Sequence, residues 1–243
     1  MDDDSALVLS HLTKSFAGKR VLKDIDFTFE SGKIYGLLGR NGAGKTTLFN
    51  CLNADLPLDS GEFYLTTGHS ERERREIQPD DIGYVLSTPE VPEFLTAREF
   101  LQFFIDINAE RISHLATLDA YFDSVRSLPE DRDRLLKDYS QGMKNKMQML
   151  VNIIAEPLVT LLDEPMTSLD VVVAEEMKEL LKSMKSGRIT ILSTHILDLA
   201  VDLCDEIVLL SGGRLSSIPH ENLDDENFKA TIIETLRESD NGR

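Results

Sequence analysis

Positive charge is scarce in this chain. Lys and Arg number 26 against 43 Asp and Glu, which gives a formal net charge of −17. A surface of that sign repels nucleic-acid phosphates and anionic lipid headgroups. The composition therefore argues against a partner made of DNA or RNA. The arginine-rich stretch ERERRE at 71–76 is mixed in sign, which is typical of a solvated face.

Cysteine and long apolar runs are scarce as well. Cys51 and Cys204 lie far apart without the short spacing of a metal site, so a reducing compartment is the default expectation. No apolar run reaches the roughly 18 residues of a spanning helix. The N-terminus, MDDDSALV, has neither the basic nor the apolar region of a signal peptide. We therefore expect a cytoplasmic chain whose membrane role, if it has one, depends on another polypeptide.

The N-terminal part contains short runs with the character of strands. Residues 6–11 (ALVLSH) and 25–29 (IDFTF) predict short strands separated by polar turns. The stretch FTFESGKIYGLLG predicts a further strand pair around the turn at residues 30–32. We therefore expect an antiparallel β subdomain before the first helix.

Three later runs are almost wholly apolar and rich in Val, Ile and Leu: LVTLLD at 158–163, ITILST at 189–194 and EIVLLS at 206–211. Such runs fit parallel strands that are buried on both faces. A sequence with helical periodicity separates the first two runs, and we expect Gly187 to be the C-cap of that helix. A hairpin turn at GGRL should follow the third run. The pattern predicts an α/β core with a mostly parallel sheet.

A long helical stretch interrupts the α/β pattern. From about residue 88 to 155 no strand pattern is present, and the periodicity is that of helices. We expect a helical subdomain inserted into a domain that covers residues 1–218. Residues 219–243 predict a C-terminal helix that frays into a tail.

The stretch GRNGAGKTT, at residues 39–47, follows the apolar run IYGLL directly. Glycines let the backbone adopt positive φ and approach a ligand without a Cβ clash, so that successive N–H groups point into one anion-binding concavity. A helix that begins near Lys45 adds the partial positive charge of its N-terminus. The pattern G-x-x-x-x-G-K-[ST] predicts a cradle for nucleotide phosphates, and the alternative is a glycine-rich turn with a chance lysine. The candidate binding residues here are Gly39, Asn41, Gly42, Ala43, Gly44, Lys45, Thr46 and Thr47.

Each polar side chain of this cradle has an expected role. We expect Lys45 to bridge the β and γ phosphates, Thr46 to bind Mg²⁺ through its hydroxyl, and Thr47 to contact an outer phosphate oxygen.

Two carboxylates follow a strand run in LLDEP. Ligands gather at the carboxyl ends of the strands in an α/β sheet, so Asp163 and Glu164 should lie near the cradle. We expect Asp163 to hold Mg²⁺ through its water shell, and Glu164 to orient or deprotonate the attacking water. Taken alone, the pair would be two solvated acids in a turn.

These stretches, together with YSQGM at 139–143, resemble the motifs of the ATP-binding cassette (ABC) ATPases. The resemblance covers residues from about 6 to 216, in the order usual for that family. It implies an α/β P-loop NTPase core, in which GRNGAGKTT is Walker A and LLDEP is Walker B followed by the catalytic glutamate. It also implies roles for Phe16 on adenine, Ser140 and Gly142 on phosphate, Asp170 in the D-loop, and His195 on the γ-phosphate. By themselves, Phe16 would be a core aromatic and His195 an ordinary strand-end histidine.

The resemblance implies further properties of the protein. ATP and Mg²⁺ would be bound between two nucleotide-binding subunits, as a homodimer or a heterodimer, and a transmembrane permease of an exporter-like transporter would be the partner. The chain would then lie on the inner face of the membrane. Alternatives are an ABC ATPase unconnected with transport, of the iron–sulfur assembly type, and an ATP-gated interaction module that hydrolyses little.

Three positions depart from the family pattern: Gln141 replaces the first of two signature glycines, Met166 stands where a threonine is common, and Ser87 is the departure that bears on function. In IGYVLST, Ser87 stands where the family usually has glutamine. The shorter serine could reach the metal only through a bridging water, so the usual coupling of this loop to the transport partner is in doubt.

Overall fold

A computed structural model describes residues 5–67, 73–112, 116–167 and 169–218. Within these ranges the strands form two sheets. The four-stranded sheet has the order β2-β1-β4-β5 and the six-stranded sheet the order β10-β9-β3-β8-β7-β6. The strands are β1 Ser5–Phe16, β2 Lys19–Glu30, β3 Lys33–Leu38, β4 Ser60–Thr67, β5 Arg74–Arg75, β6 Ile82–Val85, β7 Val159–Asp163, β8 Ile189–Thr194, β9 Glu206–Ser211 and β10 Arg214–Ile218.

The smaller sheet is antiparallel throughout, as predicted for the N-terminal part. Its strand β1 alternates buried and partly buried residues along much of its length, the pattern of a strand with one face in the core. The predicted strand pair around residues 30–32 is wrong. Strand β3 is buried at nearly every position and pairs in parallel with β8 and β9 in the other sheet. The turn at 30–32 therefore carries the chain from one sheet to the next.

The larger sheet confirms the predicted parallel core. Strands β3, β6, β7, β8 and β9 pair in parallel, and only β10 pairs antiparallel, through the hairpin at GGRL. In this register Leu38 lies opposite Thr194, and Asp163 lies opposite Ser193. The residues that follow β3, β7 and β8 consequently meet at one edge of the sheet.

Six α-helices lie within the described ranges: α1 Lys45–Leu52, α2 Ala97–Ile107, α3 Leu118–Ser124, α4 Gln141–Ala155, α5 Val171–Ser183 and α6 Leu197–Leu203. Helices α2, α3 and α4 come between β6 and β7 and share a hydrophobic cluster centred on residues such as Leu101, Phe122 and Leu150. The predicted C-terminal helix at 219–243 lies outside the described residues.

The predicted C-cap of α5 is wrong. The helix ends at Ser183, and its cap is Met184, whose N–H donates to the carbonyls of Leu180 and Leu181. Gly187, with φ 67°, instead lies in the turn that leads into β8. A glycine at positive φ serves both a cap and a turn, so the residue type alone did not fix the helix end.

Both cysteines are buried free thiols. Burial raises the pKa of Cys204 to about 12, so this side chain is a neutral thiol that packs as a small apolar group. None of the helices in the described ranges is long and apolar enough to cross a bilayer.

Candidate nucleotide-binding site

The loop between β3 and α1 requires glycine at defined positions. Gly42 and Gly44 have φ values of 80° and 113°, in the region that favours glycine. A Cβ on Gly39 would lie 2.9 Å from the carbonyl oxygen of Leu210, and one on Gly44 would lie 2.8 Å from Cγ1 of Val21. Positive φ at Gly42 and Gly44, and the close approach of Gly39 to a backbone carbonyl, therefore favour glycine at these three positions. No acidic residue lies in the first turn of α1, which leaves its N-terminal partial charge free to attract an anion.

Lys45 is buried at the base of this loop. It is only 5% exposed, and its Nζ donates to the carbonyl oxygen of Gly39 at 2.6 Å. The same ammonium lies 3.3 Å from Oε1 of Glu164. The loop therefore surrounds a fixed positive charge, which is paired with the carboxylate expected to act in catalysis.

Asp163 connects three segments at the sheet edge. Its Oδ2 accepts a hydrogen bond from Thr46 Oγ1 at 2.8 Å, and its Oδ1 accepts one from Ser193 Oγ at 2.6 Å. The Ser193 hydroxyl oxygen also accepts from the backbone N–H of Glu164 at 3.0 Å. Sequence reasoning overlooked Ser193. A fully buried hydroxyl at the end of an apolar strand was the available signal, because such a group needs a partner.

Glu164 adopts an unusual backbone conformation and has several partners. Its φ is 50°, in the left-handed region that non-glycine residues rarely occupy. Its Oε2 lies 2.9 Å from Nδ1 of His195 and accepts from Thr167 Oγ1 at 3.3 Å. With Lys45 on its other oxygen, this carboxylate is held at the centre of the site. Strained backbone that the surroundings stabilise is often found at functional positions.

Lys45, Asp163 and Glu164 line a cleft of about 290 Å³. Its walls are Val21, Arg40, Asn41, Gly42, Gly44, Lys45, Thr46, Thr47, Ser87, Asp163 and Glu164. The hydroxyl of Thr46 and the carboxylate of Asp163 are oxygen ligands of the kind that Mg²⁺ prefers. The donor set of the cleft thus fits a phosphate chain with a bound magnesium ion.

A wider cavity of about 560 Å³ adjoins this cleft. Its lining residues are Asn41, Ser87, Thr88, Gln141, Glu164, Thr167 and His195. The cavity shares Asn41, Ser87 and Glu164 with the cleft and adds the His195 side chain, which is 43% exposed. His195 therefore lies beside the candidate base, in a position open to solvent.

Seven of the predicted site residues do not line the cleft in this chain: Gly39 and Ala43 lie in the loop before α1, His195 lines the adjoining cavity, and the other four are Phe16, Ser140, Gly142 and Asp170. Phe16 is 45% exposed at the end of β1, with Lys14 Nζ 5.4 Å from its ring centre, so it is not the core aromatic that its residue type alone would favour. Ser140 is the N-cap of α4, and Asp170 is the N-cap of α5. A Cβ on Gly142 would lie 3.3 Å from Val173, so the two helix starts are in contact with each other.

The cap side chains hold the helix starts in place. Ser140 Oγ accepts from the N–H of Met143 at 3.3 Å, and Asp170 Oδ1 accepts from the N–H groups of Val172 and Val173 at 3.0 Å. Both Ser140 and Asp170 are exposed. The two helix starts are therefore available to a ligand held by another molecule.

Comparison with known proteins identifies the family. Residues 22–167 match the model of the ABC transporter family. The chain is 30% identical to the uncharacterised ABC transporter ATP-binding protein YhcH of Bacillus subtilis, over 92% of this chain and 72% of that protein. It is also 30% identical to the uncharacterised ABC transporter ATP-binding protein MJ1023 of Methanocaldococcus jannaschii, over 97% and 83%. The chain belongs to the ABC transporter family, and the prediction of an ABC ATPase nucleotide-binding subunit is confirmed.

A solved structure agrees in fold. The dimeric post-hydrolysis state of the ATP-binding cassette MJ0796, bound to ADP and phosphate, superposes with a TM-score of 0.73 at 18% identity, covering 88% of this chain and 98% of that one. The predicted α/β fold, with its antiparallel sheet and its mostly parallel sheet, is confirmed.

Proposed function

We propose that this chain hydrolyses ATP with Mg²⁺ and thereby drives an ABC transporter. The observation that carries the proposal is the convergence of Lys45, the Thr46–Asp163 pair and the Glu164–His195 pair at one sheet edge. A buried ammonium and a helix N-terminus favour a phosphate chain, and the carboxylate beside them favours hydrolysis.

The residues of the cleft have different roles in the proposed reaction. Lys45 and the loop N–H groups bind the phosphates and offset the charge that develops on them. Thr46 and Asp163 hold Mg²⁺, which when bound neutralises phosphate charge. Glu164 takes a proton from the attacking water or orients it, and His195, at 2.9 Å, fixes the direction of the carboxylate.

The exposed helix starts support a two-subunit site. Ser140, Gly142 and Asp170 lie outside the cleft of their own chain, so a second copy or a paralogue would bring them onto the nucleotide from the opposite side. ATP would then join two surfaces, and loss of the γ-phosphate would release them. Phe16, exposed at the end of β1, would stack on the adenine.

We expect Mg²⁺ with a non-hydrolysable ATP analogue to convert the chain to a dimer, and Mg²⁺ with ADP not to do so. Light scattering measures the mass. Ser140→Arg should prevent dimer formation while leaving nucleotide affinity intact, because Ser140 is exposed outside the cleft. Ser186→Arg, at an exposed position in the turn before β8, is the matched control. A chain that stays monomeric with the analogue and also with candidate paralogues would contradict the two-subunit site.

Coupling to transport requires a membrane partner. The partner we propose is the permease of an exporter-like transporter, which would place the chain on the inner face of the cell membrane. The candidate docking surface is the segment 88–101, in which Phe94 is 78% exposed. Copurification from native membranes, followed by identification of the bound polypeptides, tests this. Recovery of iron–sulfur assembly proteins instead would favour the alternative outside transport.

Ser87→Gln tests the departure from the family pattern. Ser87 lines the cleft and is exposed, so there is space for a longer side chain, and we expect the variant to retain ATPase activity. Steady-state phosphate release measures this, and it also separates an ATPase from a module that hydrolyses little. Complete loss of activity would mean that the serine acts in a way that glutamine cannot reproduce.

A further inference from the structure

A hydrogen bond joins α4 to the segment that follows β6. The backbone N–H of Leu86 donates to Oε1 of Gln148 at 2.9 Å. Among the described strands, β6 lies at the edge of the larger sheet, paired only with β7. A side-chain amide from a helix therefore supplies an acceptor to the backbone just beyond an edge strand.

The contact between α4 and β6 is close at a second point. A Cβ on Gly83 would lie 1.8 Å from Oδ1 of Asn152, so only glycine allows the helix to lie this near the strand. Asn152 is one helical turn beyond Gln148, and its Nδ2 donates to the Gln148 carbonyl oxygen at 3.0 Å. The packing of Asn152 against Gly83 therefore fixes the position of Gln148 along β6.

The side-chain amide of Gln148 has a hydrogen-bond partner for its oxygen but not for its nitrogen among the described residues. Its Nε2 is buried, without a hydrogen-bond partner among the described residues. A buried polar group left unpaired lowers stability, and an apolar side chain of the same length would avoid that loss. Within the part of the chain that the structure describes, the one hydrogen bond of this side-chain amide is the one to Leu86, which points to a role in holding that backbone.

The residues that follow Leu86 belong to the site. Ser87 lines the cleft together with Thr46 and Asp163, and Thr88 lines the adjoining cavity. Gln141, in the first turn of α4, lines the same cavity. Helix α4 therefore reaches the site at its start, and through Gln148 it holds the segment on which Ser87 lies.

We propose that Gln148 is a positioning residue of the ATPase: by binding the Leu86 N–H it holds Ser87 at the cleft and makes the position of Ser87 follow that of α4. This rests on the proposed function. Because Ser140 is the N-cap of α4, a nucleotide that engages Ser140 from a second subunit would act on a helix that is bonded directly to the Ser87 segment.

The test removes the acceptor without changing the size of the side chain. Gln148→Met should lower kcat by about 10-fold, because a misplaced site costs rate, and should leave ATP affinity within about 2-fold. Gln148→Glu keeps an oxygen acceptor for the Leu86 N–H; burial of its second oxygen lowers stability, but its kcat should stay closer to that of the wild type than the kcat of Gln148→Met does. The control is Gln102→Met, the same change at an exposed glutamine on α2 that bonds Asp106.

Two further measurements separate positioning from general destabilisation. Amide exchange at Leu86 should be about 10-fold faster in Gln148→Met and unchanged in Gln148→Glu. In a Ser87→Ala background, Gln148→Met should cause no further loss of kcat, because the two residues act through one position. Unchanged exchange at Leu86, or losses of kcat that multiply, would overturn the proposal. If the wild type does not hydrolyse ATP, the proposed function fails, and the exchange rate alone still decides whether Gln148 holds the segment.

Discussion

Glu164→Gln is expected to lower the kcat of ATP hydrolysis by about 100-fold or more, on the usual magnitude of general-base catalysis, with ATP binding retained. The carboxylate lies between Lys45 Nζ, at 3.3 Å, and His195 Nδ1, at 2.9 Å. Glutamine has the same shape but cannot take a proton. Steady-state phosphate release gives kcat, and titration with a fluorescent ATP analogue gives the affinity.

The substitution should leave the fold intact. Glutamine meets the same steric conditions at φ 50° as glutamate, and the backbone N–H at this position keeps its bond to Ser193. Glu130→Gln, at an exposed glutamate, is the matched control and should behave as wild type. Near-normal hydrolysis by Glu164→Gln would remove Glu164 from the role of base or water-orienting group.

The chemistry of the cradle could be predicted from the sequence because it depends on local rules. Gly42 and Gly44 have positive φ, a conformation that other residues rarely adopt. The continuous apolar runs predicted the parallel strands, and parallel strands bring the residues at their carboxyl ends to one edge of the sheet. The proximity of Lys45, Asp163 and Glu164 results from these two rules together.

The contacts that depend on register could not be predicted in the same way. Ser193 reaches Asp163 because β7 and β8 pair with these residues opposite each other. A serine inside ITILST indicates only that a buried hydroxyl needs some partner, and it does not identify that partner. The bond from Gln148 to Leu86 joins residues 62 positions apart. It depends on how closely α4 lies against β6, which packing rather than periodicity determines.

The two errors in the fold have a shared cause. The turn at residues 30–32 and the glycine at 187 were interpreted by residue type, and the same types serve more than one kind of chain reversal. A hairpin and a crossing between sheets both use Ser-Gly turns. The near-complete burial of β3 on both faces indicates that this strand belongs to the larger, parallel sheet.

Lys45→Ala is expected to weaken ATP binding by about 100-fold or more, since loss of charge-assisted hydrogen bonds costs a few kcal/mol and each 1.4 kcal/mol is tenfold in affinity. Lys45 is 5% exposed at the base of the loop, so its ammonium lies inside the site rather than on the surface. Its removal also leaves Glu164 without its positive partner, and that carboxylate would then repel the phosphates. Isothermal titration with Mg²⁺ and ATP measures the affinity.

A second variant separates the charge from the packing. The Lys45 side chain is buried and its Nζ bonds the Gly39 carbonyl at 2.6 Å, so truncation to alanine also disturbs the loop. Lys45→Met keeps the length and loses only the ammonium, and it should lose affinity to the same extent while melting closer to the wild-type temperature. Lys182→Ala, at an exposed lysine on α5, is the control for removal of a positive charge. An unchanged ATP affinity in Lys45→Met would mean that the backbone N–H groups bind the nucleotide without this side chain, and the assigned role of Lys45 would be wrong.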